Sequence, residues 1–118
     1  MPKKILIIDD DPVVLRYLES ILTDNGYETY KAANGVEAGK MVEKVMPDLI
    51  TLDLEMPEQW GPRFYRQMTK NKTLKDIPVI VISGLSGSKY SLPKAAAHLN
   101  KPFEQEQLLK LVGELIGK

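Results

Sequence analysis

The sequence predicts an α/β domain, a parallel sheet wound on both faces by helices, and three observations carry that prediction. Short apolar runs at Ile5–Ile8, Leu49–Leu52 and Val79–Ile82 read as strands buried on both faces. Amphipathic stretches of helical period fall between them. Strand and helix signals alternate along the chain, the pattern that builds a doubly wound parallel sheet. At 118 residues the chain has the length of one domain, so residues 1–118 are read as a single unit.

Each element has a local reason. Ile5 to Ile8 is too short and too evenly apolar for an amphipathic helix, and it runs into Asp9-Asp10-Asp11. Asp11 caps the first helix, and Pro12 suits its first turn, where the missing N–H has no partner to lose. Val14, Leu18, Ile21 and Leu22 share one helical face, and Gly26 supplies the stop. Tyr27 to Lys31 is the second strand. Asn34 caps a helix carrying Val36, Met41, Val42 and Val45, which ends before Pro47. Leu49 to Leu52 is the third strand, closed by Asp53. Met56 to Pro62 is expected as a loop, followed by a helix with Phe64, Tyr65 and Met68 on its apolar face. Pro78 to Ile82 is the fourth strand, a short segment around Leu99 the fifth, and Leu108, Leu111, Val112, Leu115 and Ile116 mark the closing helix.

The segment between Ser83 and Lys101 is the irregular one. Gly84, Gly87 and several serines disfavour helix, and only Pro93 to Ala97 has good local chemistry for one turn. The fourth helix is therefore expected to be shortened or irregular, with Ser86 to Leu92 the most mobile stretch.

Composition removes several function classes. Sixteen basic and sixteen acidic residues cancel, so no basic excess drives phosphate-backbone binding, and direct nucleic-acid binding is not expected. There is no cysteine and His98 is the one histidine, which excludes thiolate chemistry, histidine metal clusters and Ser-His-Asp triads. No apolar run approaches the roughly 20 residues needed to span a bilayer, and the start does not resemble a signal peptide, so the expectation is a cytoplasmic protein with no membrane partner.

What remains is an acidic cluster. In the strand order 2-1-3-4-5 of flavodoxin-like sheets, strands one and three are neighbours and ligands bind outside their carboxyl ends. That order would bring Asp9, Asp10 and Asp53 together. Two unit charges about 4 Å apart repel by roughly 4 kcal/mol at an effective dielectric near 20. A divalent cation held by oxygen ligands is the simplest offset. Ser83 and Lys101 follow the fourth and fifth strands, adding a hydroxyl and an ammonium at the same sheet edge. Acids, hydroxyl and ammonium together suit phosphoryl transfer to a carboxylate.

On Ile8-Asp9-Asp10-Asp11, Asp48-Leu49 through Asp53-Leu54-Glu55-Met56-Pro57, Val81-Ile82-Ser83-Gly84 and Lys101-Pro102-Phe103, the chain resembles the receiver domain of a two-component response regulator over essentially its whole length. The resemblance implies that Asp53 is the phosphoacceptor. It implies Mg2+, with Mn2+ as a substitute, on Asp9, Asp10, Asp53 and the Glu55 backbone carbonyl, Asp10 being the more direct ligand of the acidic pair. Ser83 is implied as the switch hydroxyl, Gly84 as the small residue that keeps Asp53 accessible, and Lys101 as the phosphate-binding lysine, with a cis peptide before Pro102. Implied partners are a histidine kinase or histidine phosphotransfer protein and a downstream effector protein or domain. The chain would be a two-state signalling switch rather than an enzyme, apart from slow self-hydrolysis of its phosphate.

Three features depart from the family pattern. His98 takes the place of an aromatic switch partner, Gln59-Trp60 precedes Gly61, and the 83–101 stretch is about one helical turn short. These departures keep open the alternative of a degenerate receiver that acts as a phosphorylation-independent interaction module. A flavin binder of the same fold would need a Gly/Ser/Thr-rich loop after strand one, where this chain has Asp-Asp-Asp-Pro. An aspartate-based phosphatase would normally carry its nucleophile on the first strand.

Overall fold

The computed structural model describes residues 2–56, 60–84 and 95–117. Five strands, β1 (Lys4–Ile8), β2 (Glu28–Ala32), β3 (Leu49–Asp53), β4 (Val79–Ser83) and β5 (Ala97–Asn100), form one sheet in the order β2-β1-β3-β4-β5. All four pairings are parallel. The four helices among the described residues are α1 (Pro12–Asp24), α2 (Gly35–Val45), α3 (Trp60–Thr69) and α4 (Gln105–Ile116). The flavodoxin-like order expected from the sequence is the order found.

Strand alternation divides the core in two. Leu6, Ile8, Ile50 and Leu52 face one side and pack with Ala38 and Val42 of α2 and Phe64, Tyr65 and Met68 of α3. Ile5, Ile7, Leu49, Ile80 and Ile82 face the other and pack with Leu15, Leu18 and Leu22 of α1 and Leu108 and Val112 of α4. The central strands are buried on both faces, which is why their interiors are almost wholly apolar, Thr51 being the exception.

The helix ends follow their capping chemistry. Asp11 Oδ1 accepts from the Val13 N–H at 2.9 Å, with Pro12 opening α1. Asn34 Oδ1 accepts from the Glu37 N–H at 2.8 Å while Glu37 Oε1 accepts from the Ala33 N–H at 2.7 Å, so α2 starts with two otherwise orphaned donors satisfied.

Three boundaries differ from expectation. β2 lies one residue later than the Tyr27–Lys31 reading, because the buried Tyr27 ring belongs to the turn: its N–H reaches back to the Leu22 carbonyl. The loop read as Met56 to Pro62 ends earlier, since α3 begins at Trp60; Gly61 and Pro62 sit in its first turn, where Pro costs no hydrogen bond. The helical turn expected over 93–97 is corrected in its described part. Ala95 and Ala96 form a bend and Ala97 opens β5, with the Ala96 N–H donating to the Val79 carbonyl at 3.0 Å. The ladder bond to β4 outweighs the local preference for a single isolated turn. The expectations of a shortened fourth helix and of mobility over Ser86 to Leu92 otherwise lie outside the described residues.

Candidate functional site

The sheet order sets the site. From β1 the chain passes through α1 to β2 on one side, then crosses back through α2 to β3 on the other, which opens a crevice at the carboxyl ends of β1 and β3. Asp9 and Asp10 leave β1 there, and Asp53 is the last residue of β3. One carboxylate oxygen from each of Asp9, Asp10 and Asp53 falls within 4.8 Å of the others. Asp9 and Asp53 are buried at 2% and 3% exposure, whereas Asp10 is open to solvent.

β4 and β5 bring the rest. Asp53 pairs in register with Ile82, which puts Ser83 and Gly84 just beyond it at the same edge. The Lys101 N–H donates to the Ser83 carbonyl at 2.8 Å, fixing the exit of β5 beside the exit of β4. The Lys101 Nζ lies 3.3 Å from Asp9 Oδ2 and 3.6 Å from Asp53 Oδ1. The Lys101–Pro102 peptide is cis.

Charge is unbalanced in this crevice. Burial pushes the Asp53 carboxyl up to about 6, with Asp9 and Glu55 adding repulsion, against the opposing pull of the Glu55 N–H, which donates to Asp53 Oδ1 at 3.0 Å, and of Lys101. Burial alone would lower Lys101, but Asp53 and Asp9 outweigh it and hold the ammonium above its ordinary range. One lysine does not neutralise three carboxylates. The excess negative charge and the close carboxylate oxygens fit a hard divalent cation, and Asp9, Asp10 and Asp53 are the side chains that could hold it.

Five of the sequence-identified residues, Asp9, Asp10, Asp53, Ser83 and Lys101, stand at one sheet edge, and Gly84 follows Ser83 directly. His98 is exposed on β5, in register with Val81 and two pairs before Ser83 and Asn100. Trp60 packs on the start of α2, where a Cβ at Gly35 would meet its side chain at 3.0 Å. Gly61 is required for another reason: a Cβ there would lie 2.7 Å from the Asp53 carbonyl oxygen, so only glycine lets α3 start so close to the end of β3.

The Glu55 side chain is the component that the sequence did not reveal. Its Oε1 accepts from the Ser83 hydroxyl at 3.2 Å and from the Gly84 N–H. No local motif signals this contact, because it depends on the β3–β4 register. A Cβ at Gly84 would lie 3.1 Å from the same oxygen.

Comparison with known proteins agrees with this architecture. The family model described as the response regulator receiver domain matches residues 5–113. Protein Rrf1 of Nitratidesulfovibrio vulgaris is 37% identical over 117 residues, covering 99% of this chain and 85% of its own. The chemotaxis protein CheY4 of Vibrio cholerae superposes with a TM-score of 0.90 at 28% identity, over 98% of this chain and 99% of its own. The receiver domain of the sensor histidine kinase PA1611 from Pseudomonas aeruginosa shares the fold, with a TM-score of 0.89, 24% identity and full coverage of both chains, and was crystallised with a magnesium ion coordinated in its active-site cleft. A sheet ordered β2-β1-β3-β4-β5, an acidic crevice at its switch point and a match across nearly the whole sequence identify the chain as a member of the response regulator receiver family.

Proposed function

We propose that this chain is a phosphorylation-controlled signalling switch in which Asp53 accepts a phosphoryl group from a histidine kinase or histidine phosphotransfer protein in a Mg2+-dependent reaction. The observation that carries this reading is the position of Asp53: buried at the end of β3, beside Asp9 and Asp10, and 3.6 Å from the Lys101 ammonium.

Each residue has a part. An Asp53 carboxylate oxygen forms the new P–O bond as the donor's bond to phosphorus breaks and the leaving group departs with the electron pair. Asp9, Asp10, Asp53 and the Glu55 carbonyl would hold Mg2+, which when bound neutralises charge on the phosphoryl oxygens. Lys101 supplies a fixed positive charge to one phosphoryl oxygen, and the Ser83 hydroxyl and Gly84 N–H supply hydrogen bonds to another. Strand ends hold all of these groups, so they are positioned before the donor arrives. The signal would leave through the β4–β5 edge, where Ser83 sits, toward an effector protein or domain. Slow hydrolysis of the aspartyl phosphate would reset the switch.

Incubation with Mg2+ and acetyl phosphate, read by intact mass, tests this reading. One phosphoryl mass that forms with Mg2+, fails to form when a chelator is present from the start and is removed by hydroxylamine is the expected result. An adduct that forms equally well without a divalent ion contradicts it.

A further inference from the structure

We propose that the Glu55 carboxylate is a built-in occupant of the phosphoryl-oxygen site, an internal anion that must leave before Asp53 can be phosphorylated. The inference rests on the reading that Ser83 and Gly84 donate to the phosphoryl group. In this structure both donors are already engaged by a single anionic oxygen: Glu55 Oε1 accepts from the Ser83 hydroxyl at 3.2 Å and from the Gly84 N–H. A hydroxyl and a backbone N–H converging on one charged oxygen is the arrangement that a phosphoryl oxygen would require.

The surrounding backbone is shaped for the contact. Glu55 stands two residues beyond Asp53, and its N–H donates to Asp53 Oδ1 at 3.0 Å, so the acceptor itself anchors the residue whose side chain holds the donors. Gly84 leaves space for the carboxylate, since an added Cβ would come within 3.1 Å of Oε1, tighter than most real contacts of that kind. Asp53, Glu55, Ser83 and Gly84 thus form a closed arrangement across the ends of β3 and β4.

The consequence is competition. A phosphoryl group on Asp53 and the Glu55 carboxylate are both anionic and need the same two donors, so one excludes the other. When the acyl phosphate bond of the donor breaks, acetate leaves with the electron pair and the new acyl phosphate on Asp53 brings its oxygens to Ser83 and Gly84. By then Glu55 has swung out to solvent, to which its side chain is already exposed. Glu55 would slow phosphorylation, and its release would be one of the movements that distinguish the two signalling states.

The test compares wild type, Glu55→Asp and Glu55→Ala at saturating Mg2+, following acetyl phosphate labelling by intact mass and the Gly84 amide by NMR in the metal-free protein. Glu55→Asp keeps the charge but withdraws it by one methylene, which separates occupation of the site from plain repulsion of the donor. The expected result is labelling several-fold faster in both variants, with a displaced Gly84 amide resonance in each. Labelling at the wild-type rate with an unmoved Gly84 amide overturns the occupant and leaves the phosphoacceptor reading standing. Fast labelling in Glu55→Ala alone, with Glu55→Asp behaving as wild type, reduces the effect to charge repulsion and also overturns the occupant. Absence of any adduct in all three proteins overturns the phosphoacceptor reading, and the competition falls with it.

Discussion

An aspartate with 3% of its surface exposed is costly to ionise, and Asp53 shows the cost as a carboxyl pushed up to about 6. The direction sets how stability responds to pH. A carboxyl whose folded value lies above its unfolded value of about 4 keeps its proton longer in the native state, so its contribution is favourable at low pH and is lost as pH rises from about 4 through about 6. In metal-free protein this group should remove up to about 3 kcal/mol across that window. Asp53→Asn should abolish that part of the decline and be the more stable protein at neutral pH. Urea unfolding of both proteins at pH 4 and pH 7 measures the difference, and parallel pH profiles would contradict it. A second residue-scale prediction concerns Thr51, which is 1% exposed and whose hydroxyl has no hydrogen-bond partner among the described residues. Thr51→Val keeps the shape and removes the unsatisfied oxygen, so it should stabilise the fold by about 1 kcal/mol in the same assay.

Among the elements, legibility in the sequence followed burial. β1, β3 and β4 are central strands with apolar side chains on both faces, and each is visible as a short run that is apolar but for Thr51 in β3. β2 and β5 form the two edges and are only partly buried, so their patterns are weak: β2 falls one residue later than its sequence suggests, and β5 is legible only as a short segment around Leu99. α1 and α2 announced themselves through Asp11-Pro12 and Asn34, whereas the start of α3 was hidden because Trp60-Gly61-Pro62 reads locally as a turn. Two substitutions check these reasons. Asn34→Ala removes the α2 cap and should cost about 1 kcal/mol, seen as a lower urea midpoint with an unchanged slope. Gly61→Ala drives a Cβ to 2.7 Å from the Asp53 carbonyl oxygen and should cost roughly 1–3 kcal/mol, while also slowing phosphorylation because the end of β3 must shift.

At the scale of the whole molecule, the site exists because of chain crossing. Asp9, Asp10, Asp53, Ser83 and Lys101 are spread over more than 90 positions and meet only in the order β2-β1-β3-β4-β5. Their residue types and places after strands were legible, but their adjacency came from the fold class, since no local feature of one sequence reports pairing. The Glu55 side-chain contact is illegible in the sequence for the same reason: its partners lie 28 and 29 residues away across β3 and β4. A site assembled by the native fold should bind its cation only when folded, so Mg2+ at 100 times its dissociation constant should add about 2.7 kcal/mol of stability. Asp10→Ala should lose most of that gain while leaving the metal-free core intact.

Asp53, and no other carboxylate in the crevice, is expected to take the phosphoryl group. After labelling with acetyl phosphate and Mg2+, borohydride reduction converts an aspartyl phosphate to homoserine, and peptide mapping locates it. A single homoserine at position 53, and none in Asp53→Asn, is the expected result. Homoserine at position 9 or 10 in wild type, or an unchanged yield of adduct in Asp53→Asn, would contradict it.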